Sequence, residues 1–293
     1  MSDPTTISAA PAVDDPASGR SGPTAPSRFS VYGGALWRAF SPLVFSAVVA
    51  IIAWAGFLKL FDINALIGKS PQAVWNFLVT VPDAAENRSE IFDPLLITLR
   101  DAAYGFVGGM LAAIVISILF VLFRSVEQAL MPVAMLLRSV PLVAMTPIIV
   151  LIFGRGIVGV TVIAGIVVFF PALVTIVFGL RSINAQARDL VVAYGGSEWT
   201  VLAKIAFPTA LPSIFAAARI SVPGALIGAL VSEWLATGEG TGGQIIRDIP
   251  SFQYSNVWAA IAALTGVSII LYTLVGLFEA FILARFGPTP TAH

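Results

Sequence analysis

The sequence contains no cysteine among its 293 residues, and its one histidine, His293, is the last of them. Without thiols there is no disulfide, thiolate zinc site or iron–sulfur cluster. Without an imidazole inside the fold, a histidine-based metal site or acid–base relay has no basis. No paired carboxylates or Ser–His arrangement is available either. No catalytic residue, metal ligand or cofactor site is therefore assigned. Charge is also scarce: Asp, Glu, Lys and Arg make up 11% of the chain, against about 25% in soluble domains. Its 16 basic residues balance 16 acidic ones, so no global positive field marks a nucleic-acid partner.

What replaces the missing charge is apolar surface, with a mean hydropathy of +0.93. Six apolar segments stand out, at about 42–61, 102–123, 130–153, 157–180, 211–235 and 257–284. Each is long enough to cross a hydrocarbon core that needs about 20 helical residues. A lipid-embedded chain of this pattern satisfies its backbone within each segment, so the expected fold is all-α with six transmembrane helices. Residues 1–35, rich in Pro, Ser, Ala, Thr and Asp over their first 30, read as a disordered tail. The apolar run after it is too long for a signal-peptide core of about 7–15 residues. The first span and an external segment then occupy 36–95, a permeation core 96–286, and a short tail 287–293.

Orientation follows the basic residues of the short loops. Arg20, Arg28 and Arg38 precede the first span, and Arg124 follows the second. Arg181, Arg188 and Lys204 lie between the fourth and fifth, and Arg285 follows the sixth. The opposite side has Lys69 and Arg88 diluted by acids, then Arg155 and Arg247. Both termini are expected in the cytoplasm. On the external side, Ser70 and Pro71 begin a short amphipathic helix, lying on the membrane or contacting a partner. Pro141, Pro147, Pro171 and Pro223 interrupt the spans, and Gly105 with Gly109 and Gly224 with Gly228 give small-xxx-small spacings.

The loop between spans four and five is neither a tight turn nor a featureless linker. Asp189–Tyr194 reads as a short helix stopped by Gly195 and Gly196. Ser197 then suits an N-cap and Glu198 the first turn. Trp199, Leu202, Ala203 and Ala206 recur at helical spacing, and Pro208 is expected to end this second helix. Such a helix–elbow–helix either docks into a soluble partner or rests as an amphipathic helix on lipid.

Tyr194-Gly-Gly-Ser-Glu-Trp199, followed by Ile205-Ala-Phe-Pro-Thr-Ala-Leu-Pro212, resembles the EAA loop of binding-protein-dependent ABC transporter permeases. Gly195 matches the central glycine and Leu211-Pro212 the ending, while Asp189 stands where the family has its glutamate. Thr98-Leu-Arg100, Leu137-Arg-Ser-Val-Pro-Leu142 and Glu233-Trp-Leu-Ala-Thr-Gly238 look like the nitrate, sulfonate and taurine branch. The resemblance implies a five-helix core plus one preceding helix in the inner membrane. It also implies a second, identical permease copy, two cytoplasmic ATPase subunits on the loops at 184–212, and an external solute-binding protein. On this view Asp189, Tyr194, Gly195, Gly196, Ser197, Trp199, Leu211 and Pro212 couple the chain to the ATPase. The chain itself has no Gly-x-x-x-x-Gly-Lys-[Ser/Thr] phosphate loop, so ATP hydrolysis falls to those partners.

Arg138 and Arg219 lie in apolar spans, where a charge costs at least about 2.5–3.5 kcal/mol to insert. They are candidates for drawing an anionic solute through the path, or for binding carbonyls freed by the prolines. Glu233, at the end of span five, is expected to pair with an arginine, to gate the external mouth, or to be a solvated interfacial carboxylate. The alternative function is a secondary transporter without an ATPase. That would need more ionisable groups in the spans than Arg138, Arg219 and Glu279 supply.

Overall fold

A computed structural model describes residues 45–286, with side chains to 283, and every regular element among them is helical. The chain divides into two units, residues 1–56 and 57–293. The expected tail at 1–35 and the last residues, 287–293, lie outside the described residues. Helix α1 covers Phe45–Leu60 and is shorter than the four helices long and apolar enough to cross a membrane.

The short helix α2, Pro71–Trp75, starts as its sequence dictates. The Ser70 hydroxyl accepts the Ala73 N–H, and Pro71 occupies the first helical position, where its missing donor costs nothing. A π-helical turn, Asn76–Thr80, continues it. Helix α3, Ala84–Leu122, has 39 residues and begins well before the apolar segment predicted from Ala102. At about 1.5 Å per residue it is roughly 58 Å long and overshoots a hydrocarbon core of about 30 Å. Its polar first turns therefore stand outside the membrane as an extension of the span.

The third predicted span is not one rod. Helices α4, Arg124–Ser139, and α5, Leu142–Phe153, meet at an angle of 108°. Pro141 sets the break: it restricts Val140, which is extended at φ −77°, ψ 126°, and itself caps α5. Pro147, by contrast, sits inside α5. Helix α6, Ile157–Arg181, follows a glycine turn in which Gly154 has φ +79°.

Helix α7 spans Ala185–Ala193, α8 Glu198–Val201 and α9 Phe207–Ser232, with a π turn at Leu202–Ala206 joining the last two. A further π turn, Glu233–Thr237, extends α9, so residues 198–237 form one continuous helical run. Pro208 does not end the second loop helix. The π turn widens the backbone ladder just before it, with the Phe207 N–H bonded to the Leu202 carbonyl. Phe207 itself stays helical at φ −64°, ψ −48°. Helix α10, Gly240–Asp248, and helix α11, Tyr254–Phe286, complete the chain.

Helices α3, α6 and α9 form the centre. Lipid offers no hydrophobic drive for two helices to associate, so close backbone approach must supply the packing energy. Ala164 of α6 lies between Gly105 of α3 and Gly228 of α9. A Cβ on Gly105 would fall 2.2 Å from the Ala164 Cβ, and one on Gly228 would fall 2.6 Å from its Cα. Gly109 continues the seam against Gly165 and Val168. Gly105, Gly109 and Gly228 thus serve helix packing, whereas a Cβ on Gly224 would make an ordinary contact with Val167. Gly105→Leu should destabilise the bundle by about 3 kcal/mol or more, since no rotamer avoids the α6 backbone. A loss of correctly folded protein in detergent, measured by size-exclusion chromatography, checks it.

Around that centre, Leu173, Ile176, Leu180, Ala217, Leu226 and Ala229 form the buried core. Helix α11 buries Asn256, Val257, Ala259 and Ala260 near its start, whereas Ile270, Leu274, Phe278 and Phe281 are exposed. On α5, Ile148, Leu151 and Ile152 are likewise exposed. Apolar faces of this extent belong against lipid or another protein.

Candidate functional site

The loop predicted to carry function folds as a capped elbow. Asn184 starts α7, its side chain accepting the Gln186 N–H. The helix ends in a Schellman motif, with Gly195 N–H on the Val192 carbonyl and Gly196 N–H on the Val191 carbonyl, both at 2.9 Å. Gly195 has φ +81°, a left-handed backbone that glycine adopts without strain. Ser197 then caps α8 through the Thr200 N–H. Arg188 on α7 forms an ion pair with Glu198 on α8, clasping the two arms.

The elbow shows an apolar face to the outside. Tyr194 is 86% exposed and Trp199 59%, and Leu190 and Val192 on α7 are also exposed. The buried stripe that anchors the second arm is Val201, Leu202, Ala206 and Ala210. Of the four apolar residues expected at helical spacing, Leu202 and Ala206 are buried, whereas Trp199 and Ala203 are exposed. Leu211 and Pro212, the expected end of the coupling segment, lie half-buried inside α9. Asp189 is exposed on α7.

The three charged residues expected in the path form no ion pair with one another, and partners are found for Arg219 and Glu233. Arg219 on α9 pairs with Glu279 on α11 at 3.0 Å and lies 5.7 Å from the Tyr272 ring centroid. Arg138, in the last turn of α4, lines a cavity of about 340 Å³ at the α4–α5 break. Ser139, Pro141, Leu142, Phe170 and Pro171 line it too.

Glu233 is neither solvated nor interfacial: it is 0% exposed. Its Oε2 accepts the Gly242 N–H at 2.7 Å and lies 3.1 Å from the Thr98 hydroxyl. Thr98 in turn accepts the Thr241 N–H at 2.9 Å. Gly240 has φ +64°, and a Cβ there would fall 2.4 Å from the Glu233 carboxyl carbon. The glycine-rich stretch is therefore a wrapping for this carboxyl, joining α3, α9 and α10.

The sequence profile of the "Binding-protein-dependent transport system inner membrane component" family matches residues 105–287, well over half of the chain. The chain belongs to that family. It is a permease component of an ABC importer. It is 29% identical over 235 residues to a probable ABC transporter permease of Haemophilus influenzae, covering 80% of this chain and 93% of that one. A formylaminopyrimidine transport permease of Halalkalibacterium halodurans is 29% identical over 247 residues, 84% and 96% of the two chains. A putative aliphatic sulfonates transport permease of Bacillus subtilis is 30% identical over 191 residues, 65% and 69%.

Thr98, Gly240 and Gly242 escaped notice as a site in this permease. The signal was present in two separate motifs, Thr98-Leu-Arg100 and Glu233–Gly238, but nothing local says that they touch. A second buried carboxyl, Asp248, ends α10. Burial pushes its pKa above the ordinary range, opposed by the Arg247 charge, with Glu90 adding to the rise. A raised folded-state pKa means the ionised form costs stability above the unfolded value, and the cost disappears as pH falls. Asp248→Asn should thus raise the melting temperature near neutral pH, by on the order of 1 kcal/mol of stability. The gain should vanish in acid, as thermal melts across pH would show.

Proposed function

We propose that two copies of this permease line one translocation path, powered by two cytoplasmic ATPase subunits that grip the 184–212 elbow. An external solute-binding protein delivers the cargo, and both termini lie in the cytoplasm. Asp189, Tyr194, Gly195, Gly196, Ser197 and Trp199 form the gripped surface, and Leu211 and Pro212 carry its displacement into α9. The carrying observation is the exposed Leu190–Val192–Tyr194–Trp199 face on a doubly capped, ion-paired elbow. A rigid short helix with an apolar face suits a groove in a soluble partner. Its second arm, from Glu198, runs without interruption of helix into α9, so a push on the elbow moves that span.

The cargo we infer is a small anion, similar to nitrate or a sulfonate. The support is the Arg138 guanidinium at the α4–α5 break and the likeness to a sulfonate permease. Arg219 already has Glu279, so its role is to tie α9 to α11, and Glu233 holds the glycine segment.

Uptake into proteoliposomes containing the full importer tests both parts. ATP-dependent accumulation of an alkanesulfonate, weakened in Arg138→Gln at unchanged ATPase assembly, is the expected result. Uptake of formylaminopyrimidine but no anion would overturn the cargo assignment. Uptake by the chain alone, without an ATPase, would overturn the rest.

A further inference from the structure

A cavity of about 640 Å³ opens behind the elbow. Its walls come from every element that meets there: the end of α3, the start of α4, the end of α6, and both arms of the loop. Three arginines line it, Arg124, Arg181 and Arg188, with Glu198 the one carboxylate in the wall. The floor is apolar, made by Val121, Leu122, Leu180, Val201, Leu202 and Ala206. An adjoining cavity shares Arg124 and Arg181 and adds Glu127, Met131 and Met135.

The charges do not cancel. Arg181 pairs with Glu127 and Arg188 with Glu198, each through one terminal nitrogen. Each guanidinium has five N–H donors, so most remain unused. Arg124 has no ion-pair or hydrogen-bond partner for its side chain among the described residues. With Glu127 of the adjoining cavity counted, the walls carry one surplus positive charge and present guanidinium groups from three elements.

We propose that this pocket binds a phosphate group, drawn either from an anionic lipid headgroup or from free phosphate. Guanidinium forks match phosphate oxygens in pairs, and three of them can serve one tetrahedral group from different sides. Basic pockets between helices at the membrane boundary take up anionic headgroups, and the apolar floor suits the start of an acyl chain. Bound there, the phosphate bridges α4, α6 and α7 and braces the elbow against the end of the bundle. The binding itself does not depend on the transport mechanism proposed above, because it requires neither ATPase nor cargo.

The test uses the purified full chain in nanodiscs of phosphatidylcholine, with or without phosphatidylglycerol. Native mass spectrometry counts retained lipid, and inorganic phosphate is titrated as competitor and as sole ligand. Wild type should retain phosphatidylglycerol over phosphatidylcholine. Arg124→Gln, which breaks no internal bond, should bind about tenfold more weakly with an unchanged melting temperature. Arg155→Gln, in the turn between α5 and α6, should bind as wild type does. Displacement of the lipid by inorganic phosphate, or Arg124-dependent binding of inorganic phosphate alone, assigns the site to free phosphate. Retention that phosphate does not displace assigns it to lipid. Equal binding of both probes by wild type and Arg124→Gln overturns the proposal.

Discussion

Gly195→Val is expected to lower ATP-dependent uptake by roughly tenfold or more, while the protein still inserts and folds. The reason is backbone conformation, because no atom lies within 4 Å of where a Gly195 Cβ would stand. At φ +81° a residue other than glycine costs about 1–2 kcal/mol, and a branched Cβ costs more. Each 1.4 kcal/mol lowers the ratio of formed to unformed elbow about tenfold. The damage is confined to the turn, since the anchoring stripe from Val201 to Ala210 lies beyond it. Asparagine tolerates this backbone better than other side chains. Uptake should therefore fall in the order Gly, Asn, Ala, Val. Gly196 fails differently: a Cβ there would sit 2.4 Å from the Val191 Cγ1. Equal activity across the Gly195 series, measured with matched protein amounts, would show that elbow geometry does not limit transport.

Glu233→Ala should destabilise the permease by on the order of 3 kcal/mol and abolish uptake. It removes the acceptor for a buried Gly242 N–H, an orphan worth about 1–3 kcal/mol, and leaves a void where the carboxyl lay. Glu233→Gln keeps an acceptor oxygen and the volume, so it should retain most of the stability. Gly240→Ala attacks the same contact from the other side, by steric overlap with the Glu233 carboxyl. The two substitutions must then couple. Gly240→Ala should cost less in the Glu233→Ala background than alone, with only its left-handed backbone penalty remaining. Strictly additive melting shifts in the double-mutant cycle would mean the two residues act independently.

Helix class was legible because hydropathy over about 20 residues reports lipid exposure directly. Of the six expected spans, four are helices long and apolar enough to cross a membrane, the bent α4–α5 pair makes a fifth only if it counts as one span, and α1 falls short of that length. The glycine seam was legible too, since Gly105 with Gly109 and Gly224 with Gly228 already share a helical face. Capping by Ser70 and Ser197 and the stop at Gly195–Gly196 depend on neighbours within a few residues, and all are found where expected. Three features were not legible. A proline within an apolar run allows a kink, a stop or a sharp turn. The sequence does not say which of these Pro141 and Pro208 adopt: one is a 108° break and the other part of a continuous run. The π turns have no local signature, and periodicity alone did not divide the apolar residues of the second arm into the buried Leu202 and Ala206 and the exposed Trp199 and Ala203. Glu233 looked interfacial because the sequence shows a carboxyl at a span's end. Its partners, Thr98 and Gly242, come from two other helices, α3 and α10.

The central claim is that the elbow is the handle held by the ATPase. Because the chain has no cysteine of its own, one introduced thiol reports without background. Tyr194→Cys places it at the exposed tip of the elbow, and Phe252→Cys places a control in the exposed turn between α10 and α11. Thiol-to-amine cross-linking in the transport-competent importer should join Tyr194→Cys, and not Phe252→Cys, to the ATPase subunit. An importer that transports normally yet yields the adduct from Phe252→Cys, or from neither, would contradict it.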